Sequence, residues 1–171
     1  MSSDTLLKLT NFLLFQVGWL ACVLLTNYWA LLVAAVILAV HLKVISTRPR
    51  SEARFILLGI VLGSLLDGLW FRFGVLADSA GTAWTPLWLA AIWALFMTTL
   101  SHSLVWMHQR AWLPFVLTPV AGPFAYFAAS QLDAVSLPMG PTSLVALAVG
   151  WLVIFPLLMT IQKLHFPETL A

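Results

Sequence analysis

The sequence predicts an all-α fold, a polytopic transmembrane helical bundle of six transmembrane helices with both termini cytoplasmic. Three observations carry that reading: composition, the length of the apolar runs, and the placement of basic residues. Apolar residues make up 62% of the 171-residue chain and charged residues only 8%, against roughly 45–50% and about 25% in soluble domains. Eight cationic and six anionic side chains are too few to coat a water-facing surface, so most of the surface must face hydrocarbon. A mean hydropathy of +1.01 agrees.

A helix needs roughly 20 apolar residues to cross about 30 Å of hydrocarbon. Six stretches meet that need: Leu6–Leu25, Tyr28–Ile45, Phe55–Leu76, Leu87–Met107, Trp112–Ser130 and Thr142–Leu164. Continuous apolar runs of this length exclude barrel strands, which are about ten residues long and alternate in polarity. Thr26-Asn27 leaves so little chain between the first two spans that they must form a tight antiparallel hairpin. The segment Ser46–Arg54, STRPRSEAR, reads as the longest loop, with Pro49 unable to continue a helix. Turn-type residues fill ADSAGTAWTP and QLDAVSLPMGP, the connections after the third and fifth spans. The start of the chain lacks the n-region and cleavage site of a signal peptide, so the first span is expected to be retained. No internal repeat is visible, and the chain reads as one integral-membrane domain over residues 1–171.

With six spans, Lys8, Lys43, Arg48, Arg50, Arg54, Arg110 and Lys163 fall on one side and only Arg72 on the other. This is a strong positive-inside bias, which places both termini in the cytoplasm. Tyr28, Trp29, Trp84, Trp88 and Trp112 sit near span ends, where aromatic rings prefer the interface.

Function can be argued only from polar residues inside the spans. Asp67 lies near the middle of the third, where an aspartate costs roughly 2.5–3.5 kcal/mol on insertion scales. Gly59, Gly63, Asp67, Trp70 and Gly74 recur at steps of three and four, so the carboxylate shares a face with small residues that admit a neighbouring helix. Asp67 is therefore expected to point into the bundle, as a proton carrier, a ligand or acid/base group, or a packing lock; no second carboxylate is expected in any span. Arg72 reads first as an interface anchor, with an anion-binding role as the alternative. Asn11 and Gln16 in the first span, His102 with Thr98 in the fourth, and Tyr126 in the fifth complete the candidate ligand-binding set. At about 1.5 Å per residue, Asn11, His41 and His102 reach one shallow depth, and Gln16, Asp67 and Tyr126 a middle one. The two layers would form a polar file if their faces converge. Pro114, Pro119 and Pro123 free backbone carbonyls in the fifth span, pointing either to a cavity near Gly122 and Tyr126 or to a kinked helix; Pro156 should kink the sixth.

Other chemistries lack their signatures. His102 and His108 are six apart and His41 is remote, so spacing marks no metal site. No Walker loop, dinucleotide fingerprint or nucleophile elbow appears, no cofactor is implied, and Cys22 cannot form an intrachain disulfide. Without a basic stripe there is no nucleic-acid partner. The partners expected are the lipid bilayer and a lipid or small-molecule ligand; oligomeric state is not readable.

Asn11-Phe12-Leu13-Leu14-Phe15-Gln16-Val17-Gly18-Trp19 resembles the opening of a bacterial domain-of-unknown-function family of small polytopic inner-membrane proteins. So do Pro86-Leu87-Trp88-Leu89 with Trp93, Ser101-His102-Ser103-Leu104, and Gly122-Pro123-Phe124-Ala125-Tyr126. The resemblance spans nearly the whole chain and brings no established activity or catalytic residue. Its members tend to be encoded near cyclopropane-fatty-acid-synthase-like and amine-oxidase-like proteins, which implies membrane-lipid modification or a stress response. Ala129 and Asp133 stand where the resemblance implies small residues, often glycine. Three functions follow as expectations: binding or moving a small or amphipathic molecule around Asp67; an integral-membrane enzyme or accessory subunit of lipid modification using Asp67 and His102; and a structural or assembly protein whose polar groups only join helices.

Overall fold

A computed structural model describes residues 3–170. Six main helices follow one another in the expected order: α1 (Ser3–Leu25), α2 (Tyr28–Val40), α3 (Pro49–Arg72), α4 (Leu87–Leu100), α5 (Leu113–Gln131) and α6 (Pro141–His165). A π-helical turn, His41–Ile45, extends α2, and short 3-10 turns cover Val105–Gln109 and Pro167–Thr169. The described residues contain no strand, only one isolated bridge between Ala77 and Ser136.

Five helices are long and apolar enough to cross a membrane. The exception is α4. The sequence places its span at Leu87–Met107, but the α-helix stops at Leu100, about 21 Å long. Thr98 and Thr99 turn their hydroxyls back onto the carbonyls of Leu95 and Phe96, and the amides of His102 and Leu104 both close on Thr99 O. The polar run Ser101-His102-Ser103 is thereby freed from helical geometry to reach three neighbours.

α3 departs from expectation at both ends. It begins at Pro49, six residues before the expected Phe55, because a proline is well tolerated in the first turn of a helix, where its missing N–H has no partner to lose. It ends at Arg72 rather than Leu76, the chain turning through Gly74 at φ +71°. Pro114 likewise starts α5 rather than interrupting it, and α5 runs unbroken through Pro119 and Pro123. The hairpin between α1 and α2 is as tight as expected. Thr26 adopts φ +49°, its amide bonds to Cys22 O at 3.0 Å, and Asn27 Oδ1 caps α2 by accepting from Trp29 N at 2.8 Å. Asp133, just past α5, sits at φ +59°, a left-handed position that a glycine would adopt without strain.

Packing follows the small-residue faces. Methyl groups added at Gly59 and Gly63 would fall inside the side chains of Met97 and Trp93 of α4, and one at Gly122 would fall inside the Trp151 ring of α6. The α3 and α4 backbones can approach because nothing projects between them. The indole of Trp93 then stacks on Trp151 with centroids 5.3 Å apart. Large apolar side chains remain on the outside of every long helix, among them Val17, Leu57, Val120 and Val149. In water such a surface would be an aggregation hazard; in a bilayer it is the solvent-matched face. Tyr28, Trp29, Trp84 and Trp112 are exposed as interfacial rings should be, but Trp88 is buried, contrary to its expected place in the aromatic belt. Arg72 is exposed beside the end of α3.

Gly63→Leu should force α3 and α4 apart and destabilise the fold by about 1–3 kcal/mol, the usual cost of overpacking. Thermal unfolding in detergent measures this; an unchanged midpoint would contradict the close approach.

Candidate functional site

Polar residues gather in two groups. The first surrounds Asp67, which is fully buried in α3. Trp93 Nε1 of α4 donates to its Oδ2 at 2.6 Å, and the Tyr126 hydroxyl of α5 donates to its Oδ1 at 2.5 Å. One carboxylate thus joins three helices, each oxygen matched to a donor from a different one. Trp70 adds an edge-on ring contact to Tyr126, centroids 5.6 Å apart. Asp67 and Tyr126, expected at one depth, do meet. Gln16 does not join them; it is exposed, and its amide bonds to none of the described residues.

The second group lies where the N-terminal half of α1, the ends of α2 and α4 and the start of α3 come together. Asn11, His41 and His102, expected at one depth with their facing left open, come together here. The residue at their centre is one the sequence reading placed in a loop. Glu52 sits in the first turn of α3, 2% exposed, so a second carboxylate does lie within a helix of the bundle. The early start at Pro49 is what carries it inside. His41 Nε2 lies 2.8 Å and His102 Nε2 3.2 Å from the same oxygen, Glu52 Oε2, and the two imidazoles meet edge-on at 5.0 Å.

Asn11 organises the far side of His41. Its Oδ1 accepts from Ser103 N at 3.2 Å and from Ser103 Oγ at 2.7 Å. The backbone donor fixes the carboxamide, so Nδ2 faces Thr98 Oγ1 at 3.2 Å and His41 Nδ1 at 3.4 Å. Nδ1 is then the acceptor nitrogen, which leaves the His41 proton on Nε2, directed at Glu52. Three successive residues after α4 each serve a different helix: Ser103 meets Asn11 of α1, His102 meets Glu52 of α3, and Ser101 Oγ accepts from Gln162 Nε2 of α6 at 2.9 Å.

Gln162 also donates to Thr169 Oγ1 and accepts from His108 Nε2 at 3.1 Å. Burial lowers the His108 pKa below the usual histidine range; the Gln162 bond opposes this and the Lys163 charge adds to it. Sequence reasoning missed Gln162, Glu52 and the part played by Trp93. Only Gln162 left a signal, as a lone amide near the end of an apolar run.

No hydrogen bond among the described residues joins the two groups. Gly59, Gly63, Met97 and the Trp93 ring lie between them on the α3–α4 seam, so the two layers do not join into the polar file that converging faces would have made.

Beside both groups runs an apolar cleft of about 860 Å³, bounded by α1 and α4 on one side and by α5 and α6 on the other. Phe12, Gln16, Val120 and Phe124 edge it on the exposed surface. Trp93 and Tyr126 form part of its wall, so Asp67 stands directly behind that wall and does not itself line the cleft. Thr99 and Ser103 supply polar atoms toward the Glu52 end. The cavity anticipated near Gly122 and Tyr126 is present, lined by a proline-containing but continuous helix.

Residues 8–157 match a family described as a protein of unknown function, DUF2878. The chain belongs to that family. Neither a curated protein nor a solved structure matches it. The matched region holds Asn11, His41, Glu52, Asp67, Trp93, His102 and Tyr126 and stops short of Gln162 and Thr169, so both Asp67 and Glu52 groups lie within the family domain.

Substitutions at Asp67 should separate by chemistry. Asp67→Leu strands two buried donors and should cost about 1–3 kcal/mol for each. Asp67→Asn should cost less, since its oxygen can serve Trp93 while Tyr126 turns to accept from its amide. Unfolding midpoints in detergent test the order; equal losses would contradict the bonding pattern.

Proposed function

We propose that this chain is a multi-pass protein of a bacterial inner membrane, both termini cytoplasmic, that binds an amphipathic, lipid-like molecule in the cleft between α1–α4 and α5–α6. One observation carries the reading: a cleft of about 860 Å³, within the range of small-molecule sites, opens on the apolar face of a bundle whose helices are suited to hydrocarbon. Its lining is apolar for most of its length, which suits an acyl or isoprenoid chain. Thr99 and Ser103 are placed to meet a polar headgroup at the Glu52 end, with Gln16 a further polar group deeper along the cleft. The Asp67 bonds hold Trp93 and Tyr126 in one orientation, so the wall is formed before a ligand arrives and little ordering entropy is lost on binding.

The positive-inside distribution of basic residues supports the orientation, and puts Asn11, Glu52 and His102 toward the cytoplasmic end. In this frame Asp67 is a positioning residue for the cleft rather than a direct ligand contact. A second reading, an enzyme or accessory subunit of membrane-lipid modification, is favoured by one feature. Ser103 both lines the cleft and bonds to Asn11, so the cleft reaches within two side chains of His41 and Glu52.

Mass spectrometry of lipids retained by the purified chain tests the binding reading. The native protein should carry an amphiphile at near one per chain through detergent exchange. Ala125→Trp, which fills the cleft from α5, should lower that amount at least fivefold with the unfolding midpoint kept. Equal retention by both proteins, or none by either, would contradict the proposal.

A further inference from the structure

Glu52 presents a problem of charge. Three arginines lie within four residues of it in sequence, Arg48, Arg50 and Arg54, yet the carboxylate pairs with none of them among the described residues. It turns instead into the bundle, where two imidazole nitrogens converge on a single oxygen. His41 stands at the first position of a π-helical turn, a local irregularity that tends to occur at functional sites. His102 comes from the turn that cut α4 short. Two departures from regular α-helix and one early helix start thus combine to bring three side chains together.

We propose that His41, Glu52 and His102 bind one divalent transition-metal ion of the zinc class. The ligands are His41 Nε2, His102 Nε2 and Glu52 Oε2. One ligand-type atom from each of the three residues already lies within 4.8 Å of the other two. At about 2.0–2.1 Å from a tetrahedral ion, neighbouring ligand atoms are about 3.3–3.4 Å apart. The separations of 2.8 and 3.2 Å from Glu52 Oε2 are therefore short of that spacing by only about half an ångström or less. Two imidazoles and one carboxylate form the donor set of catalytic zinc sites, which keep a fourth position for water or substrate. No fourth histidine, cysteine or carboxylate joins the group among the described residues. The partial exposure of His102, 13%, gives such a position a route to the outside.

Loading fixes the chemistry of Asn11 as well. A metal on His41 Nε2 needs the lone pair that now carries a proton, so that proton must move to Nδ1. Asn11 can accept it through Oδ1 only by turning its carboxamide and giving up the bond from Ser103 N, so ion loading should also release the Ser103 amide from Asn11. The bond gained is the outer hydrogen bond that metal-ligating histidines keep. Asn11 is the positioning residue of the site. The inference does not rest on the cleft reading, since metal uptake and lipid retention are separate measurements.

The test is metal analysis and Co²⁺ or Zn²⁺ titration of the full chain purified in detergent. The native protein should bind one ion per chain, with Co²⁺ giving the visible absorption of a four- or five-coordinate site. His102→Ala, in a turn outside the helices, and Glu52→Gln, which keeps the side-chain shape, should each weaken binding 100-fold or more; Asn11→Leu should weaken it about 10-fold. Saturating Zn²⁺ should raise the native unfolding midpoint and leave that of His102→Ala unchanged. A native chain that takes up no ion overturns the proposal, whatever the variants do. So does uptake that His102→Ala and Glu52→Gln leave intact.

Discussion

One buried carboxylate sets the arrangement of three helices. Asp67 is fully buried in an apolar bundle, so both its oxygens must find donors within the protein. It finds one on α4 and one on α5. α5 otherwise packs mainly on α6. The Tyr126 bond ties that pair to α3 at the middle of the bundle, and Ser143 Oγ, donating to Val75 O at 2.7 Å, ties it just past the end of α3. Gly63, one turn before Asp67, completes the constraint, because a bare backbone there lets Trp93 close to hydrogen-bond distance of the carboxylate; Gly59, a turn earlier, makes the same room for Met97.

The rest of the site follows from this tie. With Trp93 and Tyr126 held from behind, their outer faces become a fixed back wall of the cleft between α1–α4 and α5–α6. The second polar group works differently. Glu52, His41, His102 and Asn11 come from four places in the chain and share a short chain of bonds, with Ser103 linking it to the cleft edge. Asp67 acts as a lock on helix packing, whereas the Glu52 group has the donor geometry and partial accessibility of a chemical centre. The apolar seam between them means that the two can be read as separate devices.

Much of this was legible in the sequence, and what was hidden had physical causes. Helix number, order and the tight first hairpin follow from apolar length and from how few residues connect the runs. The facing of Asp67 follows from glycines at helical spacing, and its shared depth with Tyr126 from counting residues. Glu52 was hidden because a proline in STRPRSEAR reads equally as a loop breaker or as the first residue of a helix; only tertiary burial chose the second. The short α4 was hidden because threonine and serine in an apolar run do not show whether they bond back to the helix or end it. His41, Glu52 and His102 carry no motif, since their proximity depends on three separate elements. Trp93 reads as one more apolar residue until a carboxylate is placed beside its indole N–H.

The engagement of Asp67 by Trp93 inside the bundle, rather than by water or lipid, underlies both the helix arrangement and the cleft wall. Its most direct measurement is the hydrogen exchange of the Trp93 indole N–H, followed by NMR in detergent or nanodiscs. Slow exchange and a strongly downfield resonance are expected in the native chain, both lost in Asp67→Leu. An indole proton that exchanges as fast as those of exposed Trp29 or Trp112, or that does not respond to loss of the carboxylate, would contradict it.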